Sequence, residues 1–373
     1  MITSIMRPKA ANEGIRSLNE GQNFPLHEMT TMQENGATSN LKKQTSSRSE
    51  NEKNIQRQKK AKEKIKQLID RWIQLTLTKG VSGLQQEFAS LTGTVDPSLI
   101  RVFLQNSSTG RNRYRDVGCL DSTRVVLNTK CASANTYIHA NYVSTPYKEK
   151  RFICTQAPLP TTVHDFWQMV IQNGSCVIVM LCGIKENEKS TCFEYWPQKV
   201  GTSVKFDDIT VKTIVIKTMK LHSECSGKIT IRISGLAIMV NDVFAQAVDH
   251  FQWVDWPDRR VPPADLTPIC LLNYIRKSRA PIVIHCTAGI GRAGTLIMMA
   301  HILETLAKGA KPRNSCEILK RLRRERAYLI HSDAQYLYVH RVLLEYFALK
   351  GVISNYLADR VAAFIDDYER AVT

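Results

Sequence analysis

One segment constrains this chain more than any other: APIVIHCTAGIGRAGT, residues 280–295. Ile282, Val283 and Ile284 are β-branched in succession, the pattern of a strand buried on both faces. A glycine-rich turn follows, and the apolar run Leu296–Leu306 predicts a helix. A buried strand turning tightly into a helix needs a sheet with helices packed on it, so the expected class is α/β. The same unit makes an anion site: the turn's N–H groups point inward, and the helix N-terminus carries partial positive charge. Two chemistries use such a turn. Gly289, Gly291 and Gly294 spell G-x-G-x-x-G, the dinucleotide fingerprint, but Pro312 and Asn314 stand about where its acidic residue belongs. The other chemistry uses Cys286 and Arg292, which flank the turn. A loop wrapped around a phosphate would place the sulfur of Cys286 beneath phosphorus, while Arg292 forks two oxygens. The same amides favour an anionic sulfur. Buried thiol and surface arginine is the bland alternative, and it leaves the glycines and the adjacent His285 unexplained.

The rest of the chain frames this unit. Strands are expected at Phe152–Thr155, Cys176–Leu181, Ile209–Ile216, Ile229–Ile233 and Ile282–His285. Helices are expected at Thr162–Gln172, Leu266–Ser278, Ala293–Lys308, Ser315–Arg324 and Ser332–Leu349. One domain over residues 69–350 accounts for them. Residues 1–68 are expected to form a basic, disordered extension: the first 50 are too polar to offset ordering entropy. From 52 to 66, Lys53, Arg57, Lys59, Lys60, Lys62, Lys64 and Lys66 face only Glu52 and Glu63. That run reads as a solvated helical face, or as a contact for an acidic membrane surface or acidic partner. It leads into Leu68, Ile69, Trp72, Ile73 and Leu75, spaced as an amphipathic helix. Residues 351–373 are expected to hold a tail helix, short and docked or fraying, from the spacing of Leu357, Val361, Phe364 and Ile365.

The formal net charge is +17, which favours anionic partners without choosing among them. No apolar run is long enough for a membrane span, and the N-terminus lacks the apolar core of a signal peptide. The ten cysteines are scattered without metal spacing, so nine read as buried thiols of a reducing, cytoplasmic compartment. No metal is expected.

The octapeptide His285–Arg292 closely resembles the signature of the protein tyrosine phosphatases. The resemblance extends over nearly all of residues 80–348, through Gly83–Phe88, Asn112–Val117, Tyr137–Asn141, Thr155–Pro160, Phe166-Trp167, Tyr195–Pro197 and Trp256–Asp258. It implies a twisted, mostly β central sheet flanked by helices. It also implies hydrolysis of phosphotyrosine in proteins through a cysteinyl-phosphate, with no cofactor and no nucleic-acid partner. Cys286 becomes the nucleophile and Asp258 the general acid, later the base. Arg292 and the amides of Thr287, Ala288, Gly289, Ile290 and Gly291 hold the phosphoryl oxygens. His285 steadies the sulfur. Tyr114 stacks on the substrate ring, and Asp116 binds its backbone. Gln335 positions water, though Ser332–Gln335 also reads as a capping box in which Gln335 reaches back to the Ser332 amide.

Four departures from the family pattern stand out. Ala293 replaces a hydroxyl residue, His331 replaces a glutamine, Thr191 replaces a lysine, and Arg259-Arg260 follows Asp258. Arg260 is expected to be strained if that position needs positive φ. The alternative reading is a slow or inactive domain that binds phosphotyrosine.

Overall fold

The structure is a computed structural model and describes residues 47–91, 93–129, 135–221 and 229–372. The expectation of disorder over residues 1–46 lies outside them. Eleven strands are described. They are β1 Arg124–Val126, β2 Tyr137–Val143, β3 Phe152–Thr155, β4 Val177–Met180, β5 Lys185–Glu186, β6 Lys189–Ser190, β7 Ser203–Phe206, β8 Ile209–Thr218, β9 Ile231–Val240, β10 Val243–Trp253 and β11 Ile282–His285. The helices are α1 Ser47–Ala89, α2 Arg101–Gln105, α3 Val163–Gln172, α4 Thr267–Ile275, α5 Gly291–Ala307, α6 Ser315–Arg323, α7 Asp333–Leu349 and α8 Ala358–Val372.

Nine strands form one mixed sheet in the order β1-β2-β3-β11-β4-β10-β9-β8-β7. The four central strands, β3, β11, β4 and β10, run parallel, and antiparallel strands extend the sheet on both sides. β11 lies in the middle, so the glycine turn leaves from the carboxyl end of a central parallel strand. That is where open α/β sheets place their ligands.

Period-two alternation divides the two faces. Ile282 and Ile284 join the core packed by α1, α4, α5, α6, α7 and α8. Val283 joins the opposite core with α3, Tyr195 and Trp196. Almost every residue of α5 is buried on all sides, as befits a helix enclosed by the core. Its N-terminus, which closes the glycine turn, is fixed accordingly.

Two expectations are corrected. The boundary at residue 68 falls inside α1: the helix begins at Ser47, and Ile65 is already buried in the main core. From Arg57 to Lys64 the basic side chains are therefore the solvated upstream part of a helix whose downstream turns are anchored. The tail helix expected within residues 351–373 is present and docked: Leu357, Val361, Phe364 and Tyr368 enter that same core, with α8 packed on α1 and α7. Finally, β10 is a strand where none is expected, and the expected Ile229–Ile233 strand is the start of the longer β9. The two join at Asn241-Asp242, both at positive φ. A turn without glycine is a weaker signal than Asn-Gly.

Candidate active site

Cys286 follows β11 at the floor of a pocket of about 100 Å³. Tyr114, Asp116, Asp258, Thr287, Ala288, Ile290, Gly291, Arg292 and Gln335 line it with Cys286, together with Arg259 and His331. Residues expected from separate segments of the chain therefore converge on one pocket. His285 and Gly289 lie behind it.

Gly289 has φ 67, and a Cβ there would stand 2.0 Å from the Thr155 carbonyl oxygen. Both conformation and space demand glycine. Its carbonyl accepts from Arg326 Nε at 3.1 Å. His285 alternates onto the α3 face of the sheet, where its Nε2 meets the Tyr195 hydroxyl at 2.8 Å; that hydroxyl also meets His250 Nε2 at 2.6 Å. One hydroxyl has one proton to donate. His285 Nδ1 faces the Cys286 carbonyl at 3.4 Å, which assigns its proton to Nδ1, so Nε2 accepts from Tyr195. His250 then donates to the Tyr195 oxygen, and its Nδ1 is the acceptor left without a partner. Burial pushes the His285 pKa down to about 3. The ring is thus a neutral strut beneath the Cys286 carbonyl.

Arg292 is the most constrained charge of the site, with only 1% of its surface exposed. Nη1 donates to Glu186 Oε1 at 2.6 Å and to the Trp256 carbonyl at 3.0 Å. Nη2 donates to Glu186 Oε2 at 3.1 Å, Asp258 Oδ1 at 3.1 Å and Thr287 Oγ1 at 2.7 Å. Nε is buried with no partner. A buried donor left unpaired costs roughly 1–3 kcal/mol, so this nitrogen is suited to an acceptor arriving from the pocket.

Asp258 follows β10 and reaches over the loop, paired with Arg292 and, at 3.9 Å, with Arg259 Nε. The positive φ expected at Arg260 occurs one residue earlier, at Arg259 (φ 57). The Arg259 carbonyl accepts from Ser332 Oγ, and the Arg260 carbonyl from Trp256 Nε1.

Tyr114 forms one wall, and burial raises its pKa. Its segment is tied to the loop after β3: the Arg113 amide donates to Gln156 Oε1, and the Arg113 guanidinium to the Ala157 and Pro158 carbonyls. The Ala157 amide in turn donates to the Thr287 carbonyl at 3.0 Å. The wall and the glycine loop are thus held at a fixed spacing. At α7, Ser332 Oγ accepts from the Gln335 amide as expected, but the Gln335 side chain accepts from the His331 amide at 3.0 Å rather than from Ser332. The side chain still lines the pocket against Gly291.

The family model for protein-tyrosine phosphatase matches residues 108–345. The chain belongs to the protein-tyrosine phosphatase family. Human tyrosine-protein phosphatase non-receptor type 9 is 30% identical over 292 residues, covering 73% of this chain and 48% of that protein. Rat receptor-type tyrosine-protein phosphatase C is 32% identical over 268 residues, covering 70% of this chain and 20% of the relative. The chain thus spans about half or less of the length of these curated relatives. A solved structure of PTPN18 in complex with HER2 phosphor-peptides matches with a TM-score of 0.59 and 25% identity, covering 70% of this chain and 99% of that one.

Within this phosphatase fold, four contributors carry little or no signal in the sequence. Glu186, at the end of β5, grips Arg292 with both oxygens. Arg326 is fully buried and holds the Gly289 and Ala288 carbonyls from behind. Tyr195 stands out in the sequence only as part of a motif, and His250 not at all. The sequence offers a polar turn around Glu186 and a run of arginines around Arg326. Neither pattern says which charge turns inward.

Proposed function

We propose that this chain hydrolyses phosphotyrosine in proteins through a cysteinyl-phosphate intermediate. The reading rests above all on Arg292, whose buried, unpartnered Nε belongs to a side chain lining the same pocket as Cys286. A phosphoryl group in the loop would receive the turn amides and Nε, with Tyr114 against the aromatic ring. The sulfur of Cys286 attacks phosphorus, the bond from phosphorus to the tyrosine oxygen breaks, and that oxygen takes the proton from Asp258. Water then attacks the cysteinyl-phosphate and gives its proton to Asp258, and the electron pair of the S–P bond returns to Cys286. Arg292 and the amides hold the equatorial oxygens throughout, supplying the positive field the transition state needs. Gln335 orients the water.

The experiment is turnover of a phosphotyrosine peptide by the full chain, beside a phosphoserine peptide and a phosphoinositide. Turnover of the first alone is expected, with Cys286→Ser inactive yet still binding the peptide. Binding without turnover by the natural chain would establish a phosphotyrosine-binding module instead. Arg57, Lys59, Lys60, Lys62 and Lys64 are exposed on α1, and this supports a second, peripheral role: contact with an acidic membrane surface. A reducing, cytoplasmic setting suits the free thiols of the described cysteines.

A further inference from the structure

A cleft of about 1170 Å³ opens between Ser122–Arg124 at the start of β1, the turn joining β2 to β3, the C-terminal end of α5, and α6. The active-site pocket is not part of it. Seven cationic side chains line it against three carboxylates, and Arg124, Lys311, Arg313 and Arg321 are among the seven. Two of the carboxylates are already engaged: Glu325 accepts from the Ser144 amide at 2.6 Å, and Glu317 pairs with Lys320 at 3.0 Å. Arg124 Nη1 is buried with no partner.

His301 narrows the choice of ligand. It is almost wholly buried in the cleft wall. Its Nδ1 has no partner. Burial pushes its pKa down to about 4, so the ring is neutral and one of its nitrogens is an acceptor. The cleft therefore offers cationic donors and a deep acceptor together. A phosphate monoester dianion carries acceptors only, whereas a peptide carries backbone N–H groups beside its carboxylates. The volume also exceeds the roughly 300–1,000 Å³ of ordinary small-ligand sites, and a flat lipid surface does not fill a concavity.

We infer that this cleft binds an extended acidic peptide segment of a partner protein. The inference is independent of whether the chain turns over phosphotyrosine. The test is fluorescence anisotropy of a fluorescein-labelled octaglutamate peptide titrated with the full chain at low salt. Saturable binding is expected, weakening by about tenfold in Lys311→Glu/Arg313→Glu, since rim charges act on encounter and register over a Debye length. Both side chains are exposed, so the fold should survive, and an unchanged melting temperature verifies it. Arg124→Gln is expected to weaken binding as well. Lys59→Glu/Lys62→Glu, on α1, should change it by less than twofold. No binding of the peptide, or equal binding by the cleft variant, would overturn the inference. Capture of phosphatidylserine vesicles by these same cleft residues, without peptide binding, would overturn it in favour of a membrane contact.

Discussion

Arg259 and Ala293 carry the least expected side chains near the pocket, and their physics differs. Arg259 sits at φ 57 with its side chain 76% exposed, so the left-handed backbone is strained without a packing reward. A non-glycine residue in that region costs about 1–2 kcal/mol. Arg259→Gly is therefore expected to stabilise the chain by about 1 kcal/mol, read as a rise in denaturation midpoint; a fall would show that the arginine side chain offsets the strain. Ala293 is fully buried in the first turn of α5. A hydroxyl there could donate to the Cys286 sulfur as it leaves phosphorus. A hydrogen bond to a charged group is worth about 1.5–3 kcal/mol, or roughly 10- to 100-fold in rate. Ala293→Ser is expected to raise steady-state turnover, while the natural chain releases a burst of phenol before a slower phase. No burst, with unchanged turnover in the variant, would show that the loop amides suffice.

At the scale of elements, α1 combines two regimes. Its basic turns from Arg57 to Lys64 are largely exposed, whereas Ile65, Ile69, Trp72 and Ile73 are buried against the helical core. Removing residues 1–53 should leave stability unchanged. Extending the cut through 66 removes Ile65, whose burial contributes roughly 1.5–3 kcal/mol, and should lower the melting temperature. Equal melting temperatures for the two truncations would show that the turn containing Ile65 adds nothing. The helix also bends at Gly80, which has φ 62 and nothing within 4 Å of where a Cβ would stand. Glycine is needed there for conformation alone, unlike Gly289, where it is needed for conformation and for space.

For the whole molecule, buried neutral histidines set the response to acid. Burial pushes His139 and His285 down to about 3, and His301 and His340 to about 4; it also holds His250 well below the usual value. In the unfolded chain these rings titrate at about 6.5. Below that pH the unfolded state binds protons that the folded state does not, so stability falls as the solution is acidified from there toward the folded-state values. Each such ring removes about 1.4 kcal/mol per pH unit in that window. Asp249, pushed up to about 6 by burial, works in the opposite direction, as do Glu304 and Glu325, which burial also raises, but the five rings outnumber them. Melting temperatures should be nearly flat above about pH 7 and fall steeply below about pH 6.5. A profile that stays flat to about pH 4.5 would mean that these rings are not neutral struts in the fold.

Local rules made β3 and β11 legible in the sequence to the residue, most of the central helices to within a few residues, and the pairing of Cys286 with Arg292 across a glycine turn. Those rules are the preference of β-branched runs for buried strands, helical spacing, and the backbone freedom of glycine. Tyr114, Asp258 and Gln335 were legible too, through short motifs that resemble a family pattern. Which charges turn inward was not legible, and it emerges only from the assembled fold. Glu186 and Arg326 belong to stretches whose other charges largely face water, and burying a charge is favourable only where partners from distant segments meet it. The same holds for the Tyr195 hydroxyl between His250 and His285, and for the core packing of Ile65. Burial and pairing are properties of contacts between segments far apart in the chain, and no local pattern carries them.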